Sequence, residues 1–151
     1  MWLNRISADI SVIPEFIDHY TSEYNQARSE CKIIGVIETN LAMLPGITEH
    51  RFAQLQEIEA VLKFIEIKVD SAHQKATKKF YEHYNRELNF KEAEKYAGAD
   101  DEVVTLKLIK NEIAYIRNQM ASIVKGLESK NFMLGHIVRL RAAGLEDIQL
   151  S

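Results

Sequence analysis

The chain has one cysteine, little net charge and no long apolar run, and each shortage excludes a class of protein. Its single cysteine, Cys31, cannot form an internal disulfide, which suits a reducing compartment. The formal net charge of -3 excludes a bulk polycation, so any affinity for nucleic acid has to come from local clusters of basic side chains. No segment approaches the roughly 18 apolar residues of a membrane-spanning helix, and the opening residues lack a basic start followed by an apolar run. We therefore expect a cytosolic protein that is neither secreted nor bound to a membrane.

Signals for β-strands and for catalysis are also missing. The sequence contains no period-two apolar run and no Asn-Gly or Asp-Gly hairpin turn. It has no glycine-rich phosphate loop and no Gly-x-Ser-x-Gly turn, and nothing around Cys31 suggests an activated nucleophile. Its histidines are scattered, and the pair Asp70 and His73 lacks the companion carboxylates of a di-iron helical bundle. The sequence thus predicts no catalytic residue, no metal site and no cofactor.

What the sequence does contain is helical periodicity. Apolar residues recur at alternating spacings of three and four, the heptad pattern of helices that wrap around one another. The clearest stretch has a large residue at every position and is the one predicted to mediate self-association: Leu106, Ile109, Ile113, Ile116, Met120, Ile123 and Leu127. A second stretch is Leu55, Ile58, Leu62, Ile65, Val69, Ala72 and Ala76, and a weaker third is Ile17, Tyr20, Tyr24, Ala27, Cys31 and Ile34.

Capping and breaking residues predict the first two long helices. Pro14 suits the first turn of an N-terminal helix, which we expect to continue to about Leu44. Pro45-Gly46 should end it, because proline lacks an amide donor and disfavours helix at the preceding residue. Thr48 can then cap a second helix that continues to about Tyr84.

The remaining helices have clearer starts. Asn89 can cap a short helix from Phe90 to Ala97, ended by Gly98. Asp100 can cap a last long helix that continues to about Ala143, and the acids that follow suit its first turn better than they suit acid-base catalysis.

The predicted fold is one all-α domain over residues 1–151. It comprises an N-terminal helix in 1–46, a basic helix with its connection in 47–99, and a self-association helix in 100–151. The two best heptad stretches should fold back as an antiparallel helical hairpin. A thin hairpin leaves apolar surface uncovered, so we expect the chain to form a homo-oligomeric helical bundle.

The segment HQKATKKFY, residues 73–81, has three lysines, two aromatics and no acid. Helical spacing gathers Lys68, Lys75, Lys78 and Lys79 toward one side. Lysines there can reach successive phosphates, and Phe80 and Tyr81 offer faces for unstacked bases, so the pattern predicts a site for single-stranded nucleic acid. The alternative is a solvated helix face whose lysines pair with neighbouring acids, namely Glu82, Glu92, Glu94 or Asp100 to Glu102, while the aromatics complete the core.

A second basic group lies near the end of the last helix and comprises Lys125, Lys130, His136, Arg139 and Arg141. It could extend a binding surface. Basic side chains near a helix C-terminus are also favourable because they oppose the exposed carbonyl dipoles, so both interpretations stay open for this group.

The basic segment and the last helix resemble the UvsY family, the recombination mediators of T-even-like phages. The resemblance covers roughly His73 to Asp147, and the second helix more loosely. Its most specific parts are KATKKFY and GLESKNFMLGHIVRLRAAG. Thr77 stands where the family pattern has an arginine, and Lys78 and Lys79 stand where it is apolar and acidic.

This resemblance implies a non-enzymatic protein in the cytoplasm of the infected bacterial host. Such a protein binds single-stranded DNA, assembles into a ring-like homo-oligomer, and helps load the phage recombinase onto DNA covered by single-stranded-DNA-binding protein. The family's DNA-contacting segment falls on Lys75 to Tyr81, and its self-assembly region on Leu106 to Ala143. The alternative is a structural coiled-coil scaffold that does not bind nucleic acid.

Overall fold

Five helices form the part of the chain described by the computed structural model, residues 1–83 and 89–144. They are α1 (Trp2–Ala8), α2 (Ile13–Glu30), α3 (Ile37–His83), α4 (Phe90–Ala97) and α5 (Asp101–Ala142), and a 3-10 turn at Ile10–Val12 joins the first two. No strand occurs in these residues, which confirms the predicted all-α fold. The predicted helix end at Tyr84 lies outside the described residues.

Helices α3 and α5 form an antiparallel pair that organises the core. Leu44, near the start of α3, lies beside Leu127 in the second half of α5, whereas the end of α3 lies beside the start of α5. The central side chains are buried from both helices, including Ile58 and Ile65 on α3 and Met120 on α5. Burial of such side chains contributes roughly 2 kcal/mol each, so the helix pair carries most of the apolar stabilisation.

The two N-terminal helices pack as a layer on this pair. Phe16 is fully buried, and its ring meets the ring of Trp2 edge-on at 5.7 Å. The buried Tyr20 hydroxyl donates a 2.5 Å hydrogen bond to Glu57 Oε1 on α3. Burial raises the pKa of Tyr20, as does its hydrogen bond to Glu57, so this phenol stays protonated and keeps α2 joined to α3.

The predicted single helix from Pro14 to Leu44 is wrong. Helix α2 ends at Glu30, and Gly35 takes a positive φ of 81° that side chains on other residues rarely adopt. The Asn40 amide then donates to the carbonyls of Ile34 and Val36 at the start of α3. Gly35 is therefore the sequence signal for this break. The helix α1, which precedes Pro14, was also not predicted.

The predicted stop at Pro45-Gly46 is also wrong, because Pro45 lies inside α3. Its ring is exposed, and Leu41, whose carbonyl loses a donor, is 38% exposed, so water can replace the missing bond. The buried side chains of Ile37 and Leu44 hold the preceding turns against the core. Thr48 is not a cap, because its hydroxyl donates to the Leu44 carbonyl within the helix. Residue 46 is thus not a boundary between structural units.

The predicted caps of the last two helices are confirmed. Asn89 and Glu92 form a reciprocal capping box at the start of α4. The Asp100 carboxylate accepts a hydrogen bond from the Glu102 amide at the start of α5, and that helix continues to Ala142. Both predictions depended on local side chain to backbone bonds, which the sequence encodes within three residues.

Small residues allow α4 to approach the end of α3. Ala72 and Ala76 on α3, Ala97 on α4 and Val103 on α5 form a second buried cluster, with Phe80 half-buried beside it. The change from large to small residues along α3 therefore reflects the close packing of a third helix. It also fixes the end of α3 that carries the lysines.

Cys31, at the C-cap of α2, makes a close contact with Gly126 on α5. A Cβ atom built on Gly126 would lie 2.9 Å from the Cys31 Sγ atom. We predict that Gly126→Ala lowers the free energy of unfolding by about 1 kcal/mol, because overpacking against Cys31 costs about 1–3 kcal/mol and the helix preference of alanine over glycine offsets roughly 1 kcal/mol of it. Urea unfolding followed by circular dichroism measures this. Adding Cys31→Ala should recover most of the loss, and a double variant as unstable as Gly126→Ala alone would contradict the explanation.

Candidate nucleic-acid interface

The predicted basic segment lines a cleft between the end of α3 and the start of α5. The cleft has a volume of about 480 Å³. Helix α3 contributes Ala72, Lys75, Ala76, Lys78, Lys79 and Glu82, and the start of α5 contributes Asp100 and Glu102. The two alanines form its floor, because they are buried, and the lysines form its rim, because they are exposed. We call Lys75, Lys78 and Lys79 the lysine rim.

The lysine rim presents cationic groups that have no acidic partner in residues 1–83 and 89–144. No carboxylate of the described residues lies within 4.0 Å of these three amines, whereas ion pairs do form elsewhere in the chain. Lys75 and Lys79 are one turn apart on the same side of α3, and Lys68 lies two turns before Lys75 on that side. Lys68 is exposed, and its amine lies 5.4 Å from the centre of the Phe64 ring. The row of lysines thus extends for about 16 Å along the helix.

Three acids share the cleft with the three lysines, so its formal charge is balanced. The Asp100 carboxylate is engaged as the cap of α5. The exposed Glu102 follows it in the first turn, where the helix dipole stabilises a negative charge. Glu82 is also exposed and lies on the same helix as the lysines. These acids lower the local positive potential. They are also among the acids that the alternative interpretation pairs with the lysines, which we call the salt-bridge alternative.

The two aromatic residues of the segment have different environments. Tyr81 is 57% exposed and can accept a stacked base. Phe80 is half-buried, and its ring centre lies 5.9 Å from that of Tyr96 on α4, at an angle of 32°. Successive residues of a helix point about 100° apart, so Phe80 and Tyr81 cannot serve one stack together. Phe80 therefore belongs mainly to the packing of α4, as the alternative interpretation predicted for the aromatics.

Helix α4 adds side chains to this end of the molecule that the sequence interpretation missed. Lys91, Lys95 and Tyr96 are exposed on it, and Tyr96 is the residue that stacks on Phe80. The signal for them was the short basic and aromatic helix FKEAEKYA beside the main basic segment. Packing of α4 against α3 brings its cations to the same end as the lysine rim.

The second basic group does not extend this surface within one chain. Lys130 is buried, and its amine donates a 2.8 Å hydrogen bond to the Glu30 carbonyl at the end of α2. It therefore satisfies a helix C-terminus, so it is not a DNA contact. Arg139 donates to the Gly135 carbonyl of its own helix. From Glu102 to Arg139 the helix rises about 55 Å, so the two basic groups lie at opposite ends.

The seven residues predicted to mediate self-association lie on the inner side of α5. Ile113, Ile116, Met120, Ile123 and Leu127 are buried within one chain, and Leu106 and Ile109 are partly buried. Their role in self-association stays a prediction. In this conformation, however, their burial is explained by contacts inside one chain, and a contact between copies would need other, exposed residues.

A buried polar cluster fastens α2 to α3. The Arg51 guanidinium, 4% exposed, lies 2.7 Å from Glu23 and 2.6 Å from Glu30. Gln54 donates a further bond to Glu23. The hydrogen bond from Gln54, together with Arg51, holds the pKa of Glu23 below its usual range. Because each group has a partner within the cluster, we assign this cluster a structural role.

Two further absences hold for residues 1–83 and 89–144. No cluster of three or more histidine, cysteine or acidic side chains there could hold a metal ion. No helix in that part of the chain combines the length and the apolar character needed to cross a membrane. His73 is half-buried, and its neighbour Asp70 is exposed.

The described structure thus defines an all-helical protein with a cleft at one end that is bordered by lysines and acids, and with Tyr81 exposed on α3 and Tyr96 exposed on α4. Comparison with models of protein families, with curated proteins and with solved structures finds no match to this chain.

Proposed function

We propose that this protein is a recombination mediator that binds single-stranded DNA and helps load a phage recombinase onto DNA covered by single-stranded-DNA-binding protein. The observation that carries the proposal is the lysine rim, whose amines are exposed and without an acidic partner among the described residues. The resemblance of residues 73–147 to the UvsY family supplies the biological role. The proposal includes no catalytic step.

The exposed amines of the lysine rim suit a strand of DNA that binds along the outer side of α3. Lys68, Lys75 and Lys79 are on one side of the helix, so one backbone can contact them in sequence. Tyr81 on α3 and Tyr96 on α4 offer rings to bases that turn toward the protein, a contact that every base can make. A duplex keeps its bases stacked inside, so the aromatic contribution favours a single strand.

Self-association is part of the proposed function because one rim is a weak site. A few exposed amines give a small, salt-sensitive affinity. When several copies are joined, the second rim meets the strand at a high effective concentration once the first is bound. A ring of copies would hold a strand along a fixed path and present it to the recombinase.

A scaffold without nucleic-acid binding is the second candidate. The presence of three acids in the same cleft as the three lysines favours it, because small side-chain rotations could pair the charges. The first candidate function predicts that an added strand of DNA binds, and the second predicts that it does not.

We predict that the protein binds a fluorescently labelled oligo-dT more tightly than a duplex of equal length, since only the single strand offers free bases. Fluorescence anisotropy titrations between about 0.05 and 0.2 M salt measure this. Binding should weaken steeply as salt rises. Absence of binding at the lowest salt concentration, in protein shown to be folded by circular dichroism, would refute the proposal and leave the scaffold.

A further inference from the structure

A second surface lies at the end of the molecule opposite the lysine rim. It is an apolar groove of about 460 Å³ between the first turns of α3 and the second half of α5. Leu41, Pro45 and Phe52 on α3 line one wall, and Val124 on α5 lines the other. Leu41 is 38% and Phe52 is 49% exposed. Two acids, Glu49 and Glu128, border the groove, so it suits an apolar segment that carries positive charge.

The last turns of α5 have that chemistry. Phe132, Met133 and Leu140 are exposed there, between 37% and 62% of their surface. Arg139 and Arg141 are exposed in the same turns. Neither arginine has an acidic partner within 4.0 Å among the described residues, although Arg139 Nε donates to the Gly135 carbonyl. We call this surface the α5 tip.

The α5 tip cannot enter the groove of its own chain. Helix α5 is continuous from Asp101 to Ala142, and Arg139 lies eleven residues beyond Glu128. A helix rises 1.5 Å per residue, so the two side chains are held about 16 Å apart along one rigid axis. The two arginines can therefore reach the acids of a groove only on a second molecule.

We propose that the groove of one copy receives the α5 tip of a second copy. The inference rests on the self-association that the proposed function includes, and it names the surfaces involved. Because groove and tip are different surfaces, the contact is either head-to-tail or a reciprocal pair with two-fold symmetry. In the head-to-tail arrangement each bound copy still offers a free tip or a free groove, and such contacts continue until the rotation between copies closes a ring.

Charge reversal with rescue tests this contact. One variant carries Glu49→Lys and Glu128→Lys, and another carries Arg139→Glu and Arg141→Glu. Each should associate about tenfold more weakly than the parent, because like charges then face each other. A chain that carries all four changes restores opposite charges and should regain the parent's mass. Sedimentation velocity at several protein concentrations measures the assemblies.

A matched control reverses two charges on the exposed side of α3. Lys63→Glu with Asp70→Lys changes residues outside both surfaces and should leave the mass unchanged. The fluorescence of Trp2, the single tryptophan, reports whether each variant keeps α1 packed against Phe16. If the two-change variants lost mass only because their fold was damaged, the four-change chain would not recover the parent's mass.

Three results would overturn the inference. Variants that keep the parent's mass would show that copies join elsewhere, and the proposed function would stand. Failure of the four-change chain to recover, while it remains folded, would exclude the pairing of these charges. A parent that sediments as a single chain at all concentrations would exclude a second copy as the occupant of the groove. It would also remove self-association from the proposed function. The DNA-binding part of that function would then be decided by DNA affinity, which is measured separately.

Discussion

Replacing Lys75, Lys78 and Lys79 together with alanine should remove most of the salt dependence of DNA binding by one subunit. About three phosphates at roughly -0.7 each give the parent a slope near -2 in a plot of log affinity against log salt concentration. The variant should keep only the small part of this slope that Lys68 contributes, and it should lose most of its affinity at low salt. Its fold should be retained, since the three side chains are exposed and alanine favours helix. Anisotropy with a short oligo-dT measures the slope.

The control variant for this experiment removes the same charge elsewhere. Lys32, Lys63 and Lys125 are exposed and lie outside the cleft, so their replacement with alanine should leave the slope near the parent's. The salt-bridge alternative makes the opposite forecast for the lysine rim variant: thermal stability would fall while affinity and slope would not change. Measuring both properties on both variants separates the alternatives, and an unchanged slope in folded protein would exclude the rim from the binding site.

Replacing Arg51 with methionine should lower the free energy of unfolding by about 3 kcal/mol. The substitution keeps most of the volume but leaves Glu23 and Glu30 without their cation, and removal of one partner from a buried ion pair costs roughly 3–5 kcal/mol. We expect the lower end because these carboxylates are 22% and 26% exposed and can be partly hydrated. Urea unfolding measures the change. Glu15→Gln, which breaks the exposed pair with Arg5, should cost less than about 1 kcal/mol.

The pH dependence of the Arg51 effect follows from the lowered pKa of Glu23. A carboxyl whose pKa is lower in the folded state stabilises the fold above its unfolded pKa of about 4.3, and this stabilisation is lost as the pH falls through the folded value. The parent should therefore lose stability below about pH 4 more steeply than the Arg51→Met variant. Equal stability of both proteins at pH 7 would contradict the role assigned to the cluster.

Local signals in the sequence predicted the second half of the fold better than the first. The caps at Asn89 and Asp100 were predicted because a capping bond joins residues three or fewer positions apart. The continuation of α3 through Pro45 could not be predicted in this way. It depends on the packing of Ile37 and Leu44 against residues far along the chain, and such contacts outweigh the loss of one backbone bond.

For the candidate site, the sequence predicted the residues but not their surroundings. Periodicity placed Lys75 and Lys79 together correctly, because helical spacing fixes which side chains share a side. It could not show that Phe80 packs on Tyr96, nor that Lys130 is used to bond the end of α2. Both depend on which helices become neighbours. The buried Arg51 was missed because nothing in its local sequence distinguishes it from a solvated arginine.

The length of α3 has a mechanical consequence. The helix has 47 residues and so extends for about 70 Å, with the groove at its first turns and the lysine rim at its last. Such a helix is stiff along its length, and it bends most easily at Pro45, where one backbone hydrogen bond is missing. Bending concentrates near residues 41–45, within the wall of the groove.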